Sequence, residues 1–309
     1  MAMKGVLRPG HAQLRVLDLE EGVKFYRDVL GLIETGRDKQ GRVYFKAWDE
    51  RDHNSVIIRQ APTAGIDFFA FKVLDKATLD KLDDDLQTYG LKTERIPAGE
   101  LLETGERVRF EIPSGHKIEL YAEKTDIGTE ATYTNPPPWT GDSERGIAPI
   151  RLDHCLLYGP DIEKVMDIFV KVLGFYLVEH VVLEDGKTDL AIWLSCSIKA
   201  HDIAFVRHAE PGKLHHVSFL LDSWEKVLRA ADIMSMNKVS IDIGPTRHGV
   251  TRGTTIYAFD RSGNRFETFC GGYQCYPDWK PIKWTWDEVG TAVFYHDRKL
   301  NDAFLSVVT

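Results

Sequence analysis

The chain has 309 residues, a formal net charge of −8 at pH 7, 43% hydrophobic residues and 28% charged residues. This length suits two ordinary domains, and the composition is typical of a soluble globular protein. The negative charge argues against a nucleic-acid partner, which would require a basic face. The sequence contains no signal-peptide pattern and no long apolar run, so we expect a cytoplasmic protein.

The four cysteines are Cys155, Cys196, Cys270 and Cys275, and no two of them form a C-x-x-C pair. A chain of this size needs no disulfide framework, so we expect buried thiols in a reducing compartment. Alternatively, Cys270 and Cys275 could be two zinc ligands, although their spacing is loose for such a site.

The first predicted elements are a strand and a helix that recur later in the chain. A strand from His11 to Val16 leads into an amphipathic helix. The apolar side of that helix comprises Leu19, Val23, Tyr26 and Leu30. Residues 151–177 repeat the plan, with a histidine in the strand and a second amphipathic helix. The apolar side of the second helix comprises Ile162, Val165, Met166, Phe169 and Leu173.

The recurrence extends over the whole chain at nearly constant spacing. His11 aligns with His154 at an offset of 143 positions, and Glu119 aligns with Glu267 at an offset of 148. The chain is therefore predicted to be a tandem duplication. The second copy carries about five extra residues, which we place in a loop near Glu184–Lys187.

Each copy contains a second strand-helix-strand unit, with helices predicted from Lys76 to Thr88 and from Ser223 to Met234. The copies are joined by a linker, Thr125–Gly146, whose central Pro136–Pro138 forbids a helix. After Tyr276 a tail follows, and its last part is predicted to be helical and to pack back on the second copy.

The stretch from Gly244 to Cys270 contains two predicted strands and a tight turn. Residues 254–259 are rich in β-branched and aromatic side chains, and Asp260–Asn264 form a turn before a second strand. Alternation places Tyr257 on one face with Thr255 and Phe259, and Glu267 on one face with Arg265 and Phe269. A carboxylate among aromatic side chains is costly to bury without a partner, and a metal ion is one good partner.

This stretch resembles the signature of the extradiol ring-cleavage dioxygenases: a histidine, an apolar-Tyr pair, an Asp-Pro-x-Gly turn and a glutamate. The matching residues are His248, Ile256-Tyr257, Asp260-Arg261-Ser262-Gly263 and Glu267. Arg261 stands where the family usually has proline, which weakens the rigidity of the turn and leaves the chemical groups in place. The wider resemblance runs from RPGHAQLRV to FYHDRKLNDAF and so covers nearly the whole chain.

The resemblance implies an α+β fold of the vicinal-oxygen-chelate, or glyoxalase-like, kind. Four βαβββ units would form two tandem domains. We expect a catalytically silent domain at residues 1–145, a catalytic iron domain at 146–280, and a tail at 281–309 that packs over the catalytic domain.

The resemblance also implies a metal site formed by His154, His216 and Glu267. Two imidazoles and one carboxylate on one face of an octahedron suit non-heme Fe(II), and manganese accepts the same ligands. His215 is a rival for the second position. Strand alternation sends these neighbours to opposite faces, and the family pattern of a histidine followed by an aliphatic residue favours His216. His215 is then expected to be a hydrogen-bonded neighbour or to point outward.

The first copy lacks most of this constellation, which predicts one iron per chain, bound in the second copy. At the positions of His216, His248 and Tyr257 it has Phe68, Glu100 and Arg109. His11 and Glu119 remain, and we expect them to be hydrogen-bonded to each other or to nearby polar groups, because an unpaired buried glutamate is costly.

The resemblance assigns His201, His248 and Tyr257 to the catalytic pocket. We expect His201 to assist oxygen activation and proton transfer, because a neutral histidine accepts protons near pH 7. His248 and Tyr257 would contact the substrate oxygens and the ring-opening intermediate. The apolar walls of the pocket are expected to comprise Trp193, Val250, Val293 and Phe304.

The resemblance implies Fe(II)-dependent cleavage of catechol by O2 to 2-hydroxymuconate semialdehyde in aromatic catabolism, and it also implies a homotetramer. One rival is an isomerase or lyase of the same superfamily with a redox-inert metal, and loss of activity without O2 would distinguish it. The other rival is a non-enzymatic binding protein, which absence of a bound metal would favour. No motif for a hydrolase, a nucleotide-binding protein or a zincin is present.

Overall fold

The computed structural model describes residues 5–129, 144–276 and 278–309. Within these ranges the chain forms two large mixed sheets, one of eight strands and one of nine, with helices packed against them. The predicted α+β class is confirmed. Most of the predicted linker, residues 130–143 with the three prolines, lies outside the described residues.

The first half of the chain forms the eight-stranded sheet, in the order β2-β3-β4-β1-β5-β8-β7-β6. Its strands are β1 (Val6–Val16), β2 (Ile33–Arg37), β3 (Val43–Lys46), β4 (Val56–Gln60), β5 (Gly65–Val73), β6 (Thr93–Ile96), β7 (Arg107–Glu111) and β8 (Lys117–Tyr121). Its helices are α1 (Leu19–Lys24), which continues as a π-helical turn (Phe25–Val29), and α2 (Lys76–Tyr89).

The second half forms the nine-stranded sheet, in the order β14-β15-β16-β13-β9-β12-β11-β10-β17. Its strands are β9 (Arg151–Gly159), β10 (Tyr176–Val182), β11 (Asp189–Ser195), β12 (Ile203–Arg207), β13 (Lys213–Leu220), β14 (Ile241–Arg247), β15 (Gly253–Phe259), β16 (Arg265–Gly271) and β17 (Ile282–Trp284). Its helices are α3 (Ile162–Lys171), α4 (Trp224–Met236), a 3₁₀ turn (Trp286–Glu288), α5 (Val289–Val293) and α6 (Asp302–Ser306).

Each half contains two βαβββ units, as expected. The first strands of the two units pair antiparallel at the centre of the sheet: β1 with β5, and β9 with β13. The last strand of each unit then lies parallel to the first strand of a unit, for example β16 beside β13. The three strands that carry His154, His216 and Glu267 are therefore neighbours.

Local sequence signals explain where the longer helices begin and end. The Asp75 side chain accepts a hydrogen bond from the Thr78 amide at the start of α2, and Gly90 ends this helix in the left-handed region, at φ 103°. The Ser223 side chain caps α4 in the same way, through the Lys226 amide. The predicted bounds of both helices agree closely with the observed ones, because these capping residues are recognisable in the sequence.

The extra residues of the second copy lie in the β10–β11 hairpin, as predicted. Ile33 pairs with Lys46 at the base of the first copy's hairpin, and the corresponding Tyr176 pairs with Ser195. The second hairpin is thus six residues longer. Its added length brings β10 and β11 up to seven residues each.

The tail combines a strand with short helices. β17 extends the second sheet by pairing parallel to β10, which the sequence analysis did not predict. The α6 helix follows, and Thr309 exchanges two backbone hydrogen bonds with Leu214, at N–O distances of 2.7 and 3.1 Å. Across the described ranges, no helix is both long and apolar enough to cross a membrane.

The two halves support each other through the turns of their last hairpins. In the β15–β16 turn, Asp260 accepts a hydrogen bond from the Tyr26 hydroxyl at 3.0 Å, and Asn264 donates to the Arg15 carbonyl at 2.9 Å. In the β7–β8 turn, His116 Nε2 donates to the Lys213 carbonyl of the second half at 3.0 Å. The hairpin that carries Tyr257 and Glu267 is therefore held by the first half as well as by its own strands.

Candidate metal centre and active site

Three buried side chains from adjacent strands converge within the second sheet. His154 on β9, His216 on β13 and Glu267 on β16 each offer one donor atom, and these atoms lie within 4.8 Å of one another. Glu267 Oε2 is 2.9 Å from His154 Nε2 and 3.6 Å from His216 Nε2. These are the three residues that the sequence analysis expected to bind the metal.

Hydroxyl groups and imidazole rings surround the Glu267 carboxylate. Ser218 Oγ donates to Oε2 and Thr255 Oγ1 donates to Oε1. Burial alone would raise the pKa of Glu267, but hydrogen bonds and the charge of His154 hold it well below its ordinary value. The site therefore contains an ionised carboxylate that has no Lys or Arg partner within ion-pair distance in the described part of the chain.

The hydrogen bonds behind the two histidines leave their Nε2 atoms directed at the carboxylate. His154 Nδ1 lies 3.0 Å from Asp153 Oδ2, and His216 Nδ1 lies 2.7 Å from His215 Nδ1. His216 Nε2 is buried and, among the described residues, has no hydrogen-bond partner. A buried nitrogen lone pair without a partner, beside an ionised carboxylate, fits a divalent metal ion.

His215 is the hydrogen-bonded neighbour of His216, which was one of its two expected placements, although strand alternation alone sends the two rings to opposite faces. His215 and His216 line the same cavity and do not point to opposite faces. The pairing of β13 with β9 shifts register between Leu214 and His216, so His215 lies in a β-bulge. The extra residue turns its side chain toward the site, where it contacts His216 as the expected hydrogen-bonded neighbour.

His201 precedes β12 and packs directly on a metal-facing histidine. Its ring centroid is 3.9 Å from that of His154. Burial lowers the pKa of His201 well below its ordinary value, and the charge of His154 lowers it further. The ring is therefore neutral near pH 7.

His248 and Tyr257 form a hydrogen-bonded pair on the other side of the cluster. His248 Nδ1 contacts the Val293 carbonyl, which can only accept, so the proton is on Nδ1. His248 Nε2 then accepts from the Tyr257 hydroxyl at 2.8 Å. Burial raises the pKa of Tyr257 well above its ordinary value, and the nearby Glu267 carboxylate raises it further. Tyr257 is therefore a stable hydrogen-bond donor.

The cluster lines a cavity of about 580 Å³. The four residues expected in its apolar walls all line it: Trp193, Val250, Val293 and Phe304. Trp193 is on β11 and Val250 lies in the β14–β15 loop. Val293 and Phe304 come from the tail, so the tail closes one side of the cavity.

Several side chains that surround the cluster were not predicted from the sequence. Asp153 contacts His154, and Lys199 Nζ lies 3.2 Å from Asp153 Oδ1 and 3.0 Å from Asp202 Oδ1. A carboxylate next to a predicted ligand histidine was a visible signal for Asp153. No local pattern pointed to Lys199, because its partner Asp153 is 46 positions away.

The corresponding place in the first half is occupied by an arginine. His11 Nε2 is 3.9 Å from Glu119 Oε2, and Glu119 also receives Arg107 at 2.8 Å and Arg109 at 2.6 Å. Glu119 thus has polar partners, as expected, and a guanidinium provides the positive charge. Among the described residues, neither the first half nor the Cys270–Cys275 segment brings three potential ligands together.

Comparisons with known proteins agree with this geometry. Residues 66–125 match the catechol 2,3-dioxygenase-like N-terminal domain, and residues 151–268 match the Glyoxalase/Bleomycin resistance protein/Dioxygenase superfamily. The metapyrocatechase of Pseudomonas sp. (strain CF600) is 55% identical over 307 residues, which cover 99% of each chain. The manganese-dependent 2,3-dihydroxybiphenyl 1,2-dioxygenase of Geobacillus genomosp. 3 is 30% identical, over 93% of this chain and 92% of its own.

Solved structures give the same result. The 2,3-dioxygenase LapB from Pseudomonas sp. KL28 superposes with a TM-score of 0.91 and 73% identity, over 93% of this chain and 99% of its own. Homoprotocatechuate 2,3-dioxygenase from Brevibacterium fuscum superposes with a TM-score of 0.87 and 26% identity, over 98% and 92%.

The paired βαβββ units and the buried His-His-Glu cluster define a metal-dependent extradiol dioxygenase of the glyoxalase-like superfamily. Within that class, the chain belongs to the catechol 2,3-dioxygenase, or metapyrocatechase, family. It is therefore an oxidoreductase of aromatic catabolism.

Proposed function

We propose that the protein uses Fe(II) bound by His154, His216 and Glu267 to cleave catechol with O2 to 2-hydroxymuconate semialdehyde. The observation that carries this proposal is the convergence of these donors, within 4.8 Å, in a cavity that also contains His201, His248 and Tyr257. Ferrous iron, when bound, supplies a Lewis acid for the catechol oxygens and electrons for O2 activation.

The charge of the ligand set favours the proposed substrate. The one carboxylate among the ligands compensates only half of the charge of a divalent ion, so an anionic catechol is attracted to the site. The two imidazoles are neutral when each binds a metal through Nε2, so they add no charge to the centre. Binding of a singly deprotonated catechol therefore leaves a neutral centre in a buried environment.

His201 is the proposed proton carrier. Its ring lies against His154 and is neutral, so it can take a proton released when catechol binds and return it to the reduced oxygen. His201 contacts His154 and lines the same cavity, so the proposed proton transfer requires no movement of its buried ring.

His248 and Tyr257 are the proposed partners of the substrate oxygens. The Tyr257 hydroxyl donates to His248 Nε2 at 2.8 Å, and the His248 ring is fixed by the Val293 carbonyl. A substrate oxygen can replace His248 as the acceptor of the Tyr257 proton. The pair would thus stabilise the developing negative charge of the intermediate.

The other parts of the chain have proposed roles that follow from the same function. Trp193, Val250, Val293 and Phe304 would hold the aromatic ring and exclude water. We propose that residues 1–145 are a silent supporting domain, 146–280 the catalytic domain and 281–309 its cover. We further propose a cytoplasmic homotetramer with one iron per chain.

The decisive experiment is anaerobic purification followed by metal analysis and then by addition of catechol and O2. The proposal expects about one iron per chain and an O2-dependent yellow ring-fission product. Manganese in place of iron, as the name of the Geobacillus relative suggests for that protein, would correct the metal. A product formed equally well without O2 would contradict the proposed reaction.

A further inference from the structure

A chain of two hydrogen bonds connects the tail to a metal-facing nitrogen. His215 Nε2 lies 2.9 Å from the carbonyl oxygen of Phe304 in α6. On the other side of the same ring, His215 Nδ1 lies 2.7 Å from His216 Nδ1. The sequence alone gave no reason to connect these residues, because His215 and Phe304 are 89 positions apart.

The carbonyl at one end fixes the proton positions along this chain. A carbonyl oxygen only accepts, so His215 carries its proton on Nε2. In the neutral ring, His215 Nδ1 is then an acceptor, and the proton between the two rings belongs to His216 Nδ1. His216 therefore has an unprotonated Nε2, and this atom is buried without a hydrogen-bond partner in the described part of the chain.

We propose that His215 is a positioning residue that holds His216 in the tautomer able to bind the metal, and that α6 sets this tautomer through the Phe304 carbonyl. The inference rests on the proposed metal-dependent function. It gives the tail a second task besides covering the cavity. In the other tautomer, His216 Nε2 would carry a proton and could not be a ligand.

Ring contacts hold His215 in the orientation that this role requires. The Tyr158 ring stacks on it, with centroids 4.8 Å apart and an interplanar angle of 18°. The Phe304 ring meets it edge-on, with centroids 4.6 Å apart. Because the ring is buried between two aromatic side chains, it cannot flip without displacing one of them.

The silent half lacks both members of this pair. Asp67 and Phe68 occupy the positions of His215 and His216. Asp67 accepts hydrogen bonds from Arg59 and Gln13. The histidine pair thus occurs in the half that has the three-donor cluster, which agrees with a role for His215 in metal binding.

The position of α6 is fixed by an N-terminal cap and by backbone pairing of the following residues with β13. Asn301 caps the helix by accepting from the amides of Ala303 and Phe304. After the helix, Thr309 pairs with Leu214, two residues before His216. The Phe304 carbonyl is therefore held at both ends of its segment.

Two amide variants separate the two hydrogen bonds of His215. In His215→Asn, the amide oxygen stands near the position of Nδ1 and can accept from His216. In His215→Gln, the longer side chain reaches toward Phe304 and leaves His216 Nδ1 without its acceptor. The measurement is the rate at which the anaerobically iron-loaded full chain releases iron to an excess of a ferrous chelator.

We expect iron release from His215→Gln to be about 10- to 100-fold faster than from the wild type, the usual loss when such a partner is removed. His215→Asn should remain within a few-fold of the wild type. His116→Gln is the matched control, because His116 has the same two-sided contacts, with Ser114 and the Lys213 carbonyl, and no metal-facing neighbour. Its iron release should be unchanged.

Unchanged release from a folded His215→Gln, with folding checked by circular dichroism, would overturn the inference. Iron release from a folded His215→Asn that is 10-fold or more faster than from the wild type would also overturn it, because that variant keeps the acceptor for His216. This comparison is made with the wild type, so it holds even if the Gln variant fails to fold. Failure of the proposed function would look different: the wild-type chain itself would take up no iron.

Discussion

At the scale of single residues, the protonation states around Glu267 decide what the site can bind. Glu267 is ionised, His216 Nε2 has no hydrogen-bond partner in the described chain, and His154 donates from Nδ1 toward Asp153. Each of the three groups therefore directs a donor toward the same point. Removal of any one leaves two donors, which hold a divalent ion poorly.

We predict that His154→Ala, His216→Ala or Glu267→Ala abolishes tight iron binding. Metal analysis of the purified variants should find little iron, whereas the wild type should contain about one per chain. His180→Ala is a suitable control, because His180 pairs with Asp189 outside the cavity. Near-normal iron content in a folded variant would remove the replaced residue from the set of ligands.

A different result is expected for the proposed proton carrier. His201→Phe keeps the ring contact with His154 but cannot accept a proton, so iron content should be normal and kcat should fall by roughly 10²- to 10⁴-fold. The check is kcat at saturating catechol and O2, measured beside the iron content of the same sample. An unchanged kcat would show that His201 has no part in turnover.

At the scale of structural elements, corresponding strands in the two halves build different interiors. In the first half, Tyr44, Ile57, Phe68 and Leu101 form a buried apolar cluster. Ile57 on β4 corresponds to Ala204 on β12, and Phe68 corresponds to His216. Smaller and polar side chains leave room for the cavity in the second half, whereas larger apolar ones fill the first.

In the first half, β7 places arginine side chains beside the Glu119 carboxylate of β8. Arg107 and Glu119 are fully buried and lie 2.8 Å apart, and Arg109 adds a second guanidinium. The two guanidinium groups thus compensate the buried charge of Glu119. This arrangement also ties the stability of the first half to this buried ion pair.

We predict that the double variant His11→Gln and Glu119→Gln keeps its iron and most of its kcat but is less stable. Removing one partner of a buried ion pair typically costs about 3–5 kcal/mol, because the other charge stays buried. Urea unfolding monitored by circular dichroism measures this loss, and single His11→Gln should show a smaller one. Loss of iron from the folded double variant would overturn the assignment of one active and one silent half.

At the scale of the whole molecule, buried histidines make stability depend on pH. His116 connects the halves through the Lys213 carbonyl, and burial lowers its pKa to about 4. Its ordinary value in the unfolded chain is about 6.5. Between these values the unfolded chain binds the extra proton and the folded chain does not, so stability is lost as the pH falls from about 6.5 to 4.

We therefore predict that His116→Gln weakens this pH dependence. The variant should lose less stability than the wild type between pH 7 and pH 5, as measured by the shift of the urea midpoint. Other buried histidines still contribute, so part of the dependence remains. An identical shift in both proteins would show that His116 is not neutral in the folded state.

Much of the architecture follows from local sequence. The period-two pattern and the Asp260–Asn264 turn predict two strands joined by a tight turn, and the structure has β15 and β16 paired antiparallel there. The internal repeat and the family signature indicated the paired units and the six polar residues of the site. These features were accessible because strand alternation, turn residues and helix caps act over a few neighbouring positions.

The bounds of β1 show where local signals fail. The sequence predicted a strand from His11, yet β1 begins at Val6, because residues before Pro9 pair with β5 across a bulge. Pro9 and Gly10 are residue types that are depleted in strands. Pairing with β5 overrides this local preference.

The sequence by itself determined the duplication, the helix positions and the residue types of the cluster. Only the tertiary structure decided that Arg107 supplies the cation in the first half, that His215 faces the cavity through a bulge, and that the tail reaches His215 through the Phe304 carbonyl. The physical reason is range. Alternation and caps depend on adjacent residues, whereas a bulge, a buried ion pair and a tautomer depend on which distant strand or helix lies alongside.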